Sequence, residues 1–218
     1  MRKCRIQLAF NSDFSDFYSV ANYIPKSDNI IIEAGTPLIK RYGIQVIADM
    51  RRYWGGEICA DMKIIDGAVD EVTMAVQAGA TSVTAMGNAT KESLTLFVDT
   101  CKKNNVRSII DMMNVENPMR TIWKNRVIPD SVFIHRGRDE ENAYGKIIQY
   151  KDIAKIKGKW EIQMGAAGGI DEREFQSAIF NNADIVVVNV VSSQSPWKGL
   201  VYDKDFERSL IDFLKFVK

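Results

Sequence analysis

The 218 residues carry a formal net charge of +1, with 46% hydrophobic and 26% charged side chains. That balance describes a globular chain and excludes a bulk basic field for nucleic acid or an anionic membrane. No apolar run approaches the roughly 18 residues of a bilayer span, and three widely spaced cysteines (Cys4, Cys59, Cys101) make neither a disulfide framework nor a zinc site.

Polar residues enter the opening stretch MRKCRIQLAFNSDFSDF too early for a secretory signal. With reduced thiols, this leads us to expect a cytoplasmic protein. The first β-branched, apolar run is CRIQLAF at 4–10, followed by Asn11. NIIIEAG at 29–35 is the second, with Glu33 near its end. EICADMK at 57–63 is the third and finishes on Asp61 and Lys63. TSVTAMG at 81–87 and VRSIIDMM at 106–113 follow, the latter holding Asp111. SVFIHRG at 131–137 contains His135, the chain's single histidine, with Arg138 just beyond. WEIQMGAAGG at 160–169 ends on Gly168-Gly169, and ADIVVVNVV at 183–191 is the eighth run. Amphipathic stretches at helical spacing lie between them, such as DGAVDEVTMAVQAGA and TKESLTLFVDTCKKNN. DKDFERSLIDFLKFVK predicts a closing helix.

Eight strand–helix alternations predict parallel strands joined by right-handed crossovers. No linker or low-complexity segment divides the chain, so the expectation is one (β/α)8 barrel over residues 1–218. A doubly wound open sheet is the alternative. In such a barrel the chemistry sits where strands end, and the polar residues named above collect there.

Within the third strand, positions i and i+2 share a face, so Asp61 and Lys63 are expected to point together into the barrel mouth. Asp66 falls where the next helix begins. A charge cluster of this kind offers fixed dipoles to charge that develops in a reaction. A surface ion pair with Asp66 as a helix cap is the plain alternative. His135, near Arg138 at the end of a strand, is an acid/base candidate, with a satisfied core imidazole as the alternative. Gly168-Gly169 precede the helical stretch IDEREFQSAIF, where backbone amides can hold a phosphate or simply form a tight turn.

The segment ADMKIIDG carries the D-x-K-x-x-D pattern of the orotidine 5'-monophosphate decarboxylase superfamily. IIIEAGTPLIKRYG, QAGATSVTAMG, IIDMMNVEN, IHRGRD and AAGGI resemble its branch of hexulose-6-phosphate synthases and 3-keto-L-gulonate-6-phosphate decarboxylases. The resemblance covers nearly the whole chain, strands one to seven best. It implies a homodimeric lyase with active sites at the interface. It implies a magnesium ion on Glu33 and Asp61, and a cis-enediolate stabilised by that ion and Lys63. It implies that Asp66 serves the neighbouring subunit's site, and that the substrate is a ketose phosphate or related sugar acid. His135 and Arg138 match the H-x-x-R of the decarboxylases, whereas Asp111 and Ala167 match the synthases.

Two positions depart from the branch pattern. Asn11 stands where the family has aspartate, and Asn189 or a neighbouring valine where it has the glycine of the last phosphate loop. Asparagine keeps hydrogen bonding but loses the charge. The expectation is therefore a magnesium-dependent lyase closest to 3-hexulose-6-phosphate synthase. Substrate contacts are expected at Asn11, Asp111, Gly168, Gly169 and Asn189, with weakened or relocated phosphate binding. A decarboxylase, a relative with a different, non-phosphorylated substrate, and a non-catalytic sugar-phosphate-binding barrel are the other readings.

Overall fold

Eight parallel strands pair in chain order, and the first also pairs with the eighth, which closes the sheet into a barrel. The computed structural model describes residues 4–141 and 147–217. The strands are β1 (Arg5–Phe10), β2 (Ile30–Ala34), β3 (Glu57–Ile64), β4 (Ser82–Met86), β5 (Arg107–Asp111), β6 (Ser131–His135), β7 (Gln163–Ala167) and β8 (Ile185–Val191). Each lies within the stretch its sequence predicts, or extends it by one residue. Closure excludes the open doubly wound sheet.

Helices cover the outside: α1 (Phe14–Val20), α2 (Thr36–Tyr42), α3 (Gln45–Arg51), α4 (Ala68–Gln77), α5 (Lys91–Lys103), α6 (Pro118–Asn125), α7 (Arg138–Glu141), α8 (Lys151–Lys157), α9 (Glu172–Phe180) and α10 (Phe206–Lys215). Their starts follow local chemistry. Thr90, Asn117 and Asp171 each accept a backbone N–H of the first turn, and Pro118 sits where a missing N–H costs nothing. Among the described residues, no helix is long and apolar enough to cross a membrane.

Period-two alternation divides the strand residues between two cores. Ile6, Leu8, Ile32 and Val188 face the helices in the larger one. Ala9, Ile31, Cys59, Ile109, Phe133 and Val187 fill the barrel itself. Toward the C-terminal strand ends the inward positions turn polar, at Glu33, Asp61, Thr84, Asp111 and His135. The barrel's lower end is closed by Glu57, which pairs with Arg107 and, at 2.6 Å, with Arg5.

Two features depart from simple alternation. The register of β3 against β4 shifts between Ala60 and Ile64, and Lys63 there takes a left-handed backbone with φ +51°. The i, i+2 argument for Asp61 and Lys63 therefore does not hold literally, because a bulge rather than the pleat aims the lysine. A short ninth strand, β9 (Leu200–Val201), pairs parallel to the top of β8. It returns the loop after β8 alongside that strand, at the place where the sequence departs from the branch pattern.

Phe133 is opposite Gly165 in the register, and a Cβ at Gly165 would overlap its ring. A Gly165→Val substitution should destabilise the barrel by about 1–3 kcal/mol through overpacking. The check is thermal unfolding, where a drop of several degrees is expected and an unchanged midpoint contradicts the packing.

Candidate active site

The C-terminal strand ends enclose a cavity of about 450 Å³. At its floor lies Asp61, buried on β3. Thr36, at the start of α2, donates to Asp61 Oδ2 at 2.8 Å, and Thr84 on β4 donates to Oδ1 at 2.8 Å. Lys63 Nζ reaches both oxygens, at 3.0 and 3.1 Å. The Thr84 hydroxyl also accepts the Lys63 backbone N–H at 2.9 Å. One threonine thus holds both the carboxylate and the left-handed residue that carries its partner. A non-glycine residue in that conformation costs on the order of 1 kcal/mol and persists where its surroundings fix it.

Lys63 Nζ also lies 2.8 Å from Asp111 Oδ2, at the end of β5. His135 Nδ1 bonds the same oxygen at 2.8 Å, and the Met113 amide donates to Oδ1 at 2.9 Å. Burial by itself would raise the Asp111 carboxyl, but His135 and Lys63 together hold it well below the usual range. Burial likewise works against the Lys63 ammonium, and Asp61 and Asp111 reverse that and raise it. Both groups are therefore held in their charged forms. With Asp111 ionised, the neutral form of the His135 ring donates Nδ1–H to it and carries its lone pair on Nε2.

Glu33 lies beside this network, buried, and accepts a hydrogen bond from Gln7 Nε2. Burial, and then the Asp61 charge, push its carboxyl up to about 8. The Gln7 Oε1 is buried without a hydrogen-bond partner among the described residues. Among those residues no group of three or more acidic, histidine or cysteine side chains could hold a metal. Glu33, Asp61 and the bare Gln7 oxygen nevertheless form a hard-oxygen set that a small divalent cation could use, with water or ligand oxygens completing its shell.

The remaining residues predicted from sequence are placed as follows. Asn11 Nδ2 donates to Asn189 Oδ1 at 3.1 Å, and Asn189 Nδ2 donates to the Lys198 carbonyl at 3.3 Å. The two departures from the branch pattern are thus joined to each other and to the loop after β8. Gly168 and Gly169 have φ of +105° and +62°, values that favour glycine, and their carbonyls accept from Arg136 Nη2 at 2.9 and 3.3 Å. Arg138 lines the rim, its guanidinium 5.0 Å from the Trp197 ring centre. Asp66 is exposed and does not line the cavity of its own chain. Its charge acts on Glu71, whose carboxyl is raised first by burial and then by Asp66.

Sequence reasoning missed Gln7, Thr36, Thr84 and Arg136. Thr36 and Thr84 stand inside the segments IIIEAGTPLIKRYG and TSVTAMG, and inward alternation on β1 and β4 marks Gln7 and Thr84.

Residues 5–189 match the model of the Orotidine 5'-phosphate decarboxylase / HUMPS family. The bifunctional enzyme Fae/Hps of Methanothrix thermoacetophila is 35% identical over 192 residues, 87% of this chain and 48% of that protein. The chain thus spans about half the length of the curated relatives it matches. Among solved structures, a 3-hexulose-6-phosphate synthase superposes with TM-score 0.81 at 23% identity, covering 98% of this chain and 100% of its own. The 3-keto-L-gulonate-6-phosphate decarboxylase of Vibrio cholerae gives 0.74 at 19%, covering 99% of each. At those identities the structural likeness speaks for the fold.

Thr84→Val keeps the shape but leaves a buried Asp61 oxygen and the Lys63 amide without their shared partner. The variant should lose about 1–3 kcal/mol of stability. Denaturant titration measures this, and a midpoint equal to the parent's would remove Thr84 from its bracing role.

Proposed function

This chain belongs to the Orotidine 5'-phosphate decarboxylase / HUMPS family, and on that footing we propose a magnesium-dependent carbon–carbon lyase of the 3-hexulose-6-phosphate synthase type. The reaction is aldol addition of formaldehyde to ribulose 5-phosphate. The observation that carries the reading is Lys63, an ammonium held between Asp61 and Asp111 while His135 shares the second carboxylate. The curated relatives named Fae/Hps support the synthase over the decarboxylase. Arg138, which matches the decarboxylase pattern, stacks over Trp197 at the rim.

In this mechanism His135 Nε2 removes a proton from the substrate carbon next to the ketone, and the electron pair moves onto the carbonyl oxygen. Asp111, bonded to Nδ1, keeps the ring in the tautomer able to do so and stabilises the imidazolium that forms. Lys63 supplies positive charge to the developing oxyanion without having to reorganise. The carbon then attacks formaldehyde, and the new alkoxide takes the proton back from His135, so the proton count closes. Glu33 and Asp61 would hold magnesium, with Gln7 Oε1 as a further oxygen at hand. When bound, the ion supplies Lewis-acid stabilisation of negative charge on substrate oxygens. Asn11 and Asn189 contact the sugar end of the ligand.

The exposed Asp66 belongs, in this reading, to the site of a second copy in a symmetric dimer, where the same patch is used twice. Ile65 and Val69 flank it as exposed apolar side chains suited to such a surface. The proposed site of action is the cytoplasm.

Lys63→Ala should lower kcat on ribulose 5-phosphate and formaldehyde by about 10²–10³-fold, the effect typical of losing one transition-state charge donor. The variant also leaves the buried Asp61 and Asp111 without their shared cation and should lose stability, so turnover is compared at a temperature where circular dichroism shows it folded. Parent-like turnover by this variant would exclude Lys63 from the reaction. Chelation of divalent ions should abolish turnover, and added magnesium should restore it.

Sedimentation should find a dimer. Mixing inactive Lys63→Ala and Asp66→Asn variants should recover part of the activity, because mixed dimers rebuild one intact site. A fully active monomer, or no recovery on mixing, rules out the crossing of Asp66.

A further inference from the structure

The far end of the cavity, away from the Lys63 network, already contains an anion of the chain's own. Glu141 Oε1, on α7, accepts the backbone N–H of Lys198 at 2.9 Å. Its carboxylate lies so close over the Gly168-Gly169 turn that a Cβ at Gly169 would overlap it, and the Arg136 guanidinium lies against the same point. The turn, a loop N–H and a guanidinium thus converge on one position, and the Glu141 carboxylate fills it. The surroundings hold it there. Lys198 Nζ pairs with Asp171 Oδ2 at 2.8 Å, at the start of α9, and its carbonyl accepts from Asn189. Three residues before Glu141, Arg138 stacks on Trp197, one residue before Lys198. The segment after β6 and the loop after β8 therefore meet twice above the turn.

We propose that Glu141 sets the specificity and affinity of this site for a phosphate-bearing ligand, by occupying with its own carboxylate the position the phosphate must take. A phosphate monoester offers the same acceptor oxygens to the Lys198 amide and the Arg136 guanidinium, with more charge. The two anions repel at this separation, so the ligand must displace Glu141. Taking over the charge-assisted hydrogen bond from the Lys198 amide therefore lowers apparent phosphate affinity about tenfold or more. The loop after β8 makes the arrangement possible, because β9 and the Asn11–Asn189–Lys198 chain place the Lys198 amide within reach of α7. The inference rests on the reading above for the ligand's identity, a sugar phosphate. Its geometry does not depend on the reaction.

The test is calorimetric titration of inorganic phosphate and of ribulose 5-phosphate into the parent protein, Glu141→Gln and Glu141→Ala, all with magnesium present. Both ligands should bind Glu141→Ala about tenfold tighter than the parent or better. Glu141→Gln should fall between, because its amide keeps the shape but not the charge. Binding to the parent should also change the emission of Trp197 as Glu141 leaves, and a Trp197→Phe variant should lack that change. Equal or weaker binding by Glu141→Ala overturns the inference, as does absence of phosphate binding by every variant. The lyase reading is judged separately, by turnover with formaldehyde. Tighter phosphate binding without turnover sinks that reading and leaves Glu141 in place, whereas turnover without tighter binding does the opposite.

Discussion

Three buried carboxylates face one ammonium at the floor of this barrel, and that imbalance governs the rest of the site. Asp61 and Asp111 are both within hydrogen-bond reach of Lys63, while Glu33 has only the neutral Gln7 amide. Excess negative charge at low dielectric must be met by protonation, by a cation or by dipoles. Asp111 is met by Lys63 and His135 and stays ionised. Glu33 is not, and its rise to about 8 records the shortfall. In the proposed reaction a divalent ion on Glu33 and Asp61 would supply the positive charge that Glu33 lacks. This is the physical content behind the choice of a divalent ion in the proposed reaction.

The same demand explains the local backbone. An unbroken pleat would fix the Lys63 side chain by strand geometry alone. The bulge and the left-handed residue instead let its ammonium lie between carboxylates of two strands, β3 and β5. Thr84 makes that conformation tolerable by accepting the freed Lys63 amide while donating to Asp61. Strain, hydroxyl and ion pair form one unit, so removal of any part should loosen the others.

This unit also marks the limit of what is legible in the sequence. Eight β-branched runs separated by amphipathic stretches identify the strands, since each must bury two faces inside a closed parallel sheet. Charged residues at strand ends are legible as well, because few other positions explain Glu33, Asp61, Asp111 and His135 together. Gln7, Thr36 and Thr84 are legible only as positions, two of them on inward faces, and not in what they do. A threonine in a strand is the ordinary β-former, and nothing local distinguishes one that braces a carboxylate. The bulge is invisible because no glycine marks it: Lys63 itself takes the positive φ. β9 is only two residues long, too short for any period, and its pairing is set by where the loop after β8 must go. The Asn11–Asn189 hydrogen bond joins positions 178 residues apart, which no reading of spacing can bring together.

The two ends of the cavity are built on different principles. At the floor, every charged group rests on strand ends, whose positions the closed barrel fixes, and whose partners lie on neighbouring strands. Such a constellation tolerates little movement, as a site that stabilises developing charge requires. At the far end, the contacts join α7, the turn after β7 and the loop after β8, and most are made by exposed or half-buried side chains such as Lys198 and Arg138. Loops of this kind change conformation at small free-energy cost, because few buried apolar contacts oppose it. It follows that the residues proposed to hold the chemistry are the ones a barrel can keep while its ligand changes. Differences in what this chain binds should therefore be sought in Glu141, Asn189 and the loop they meet, where a carboxylate already stands in for an anion, and not in the Lys63 network below.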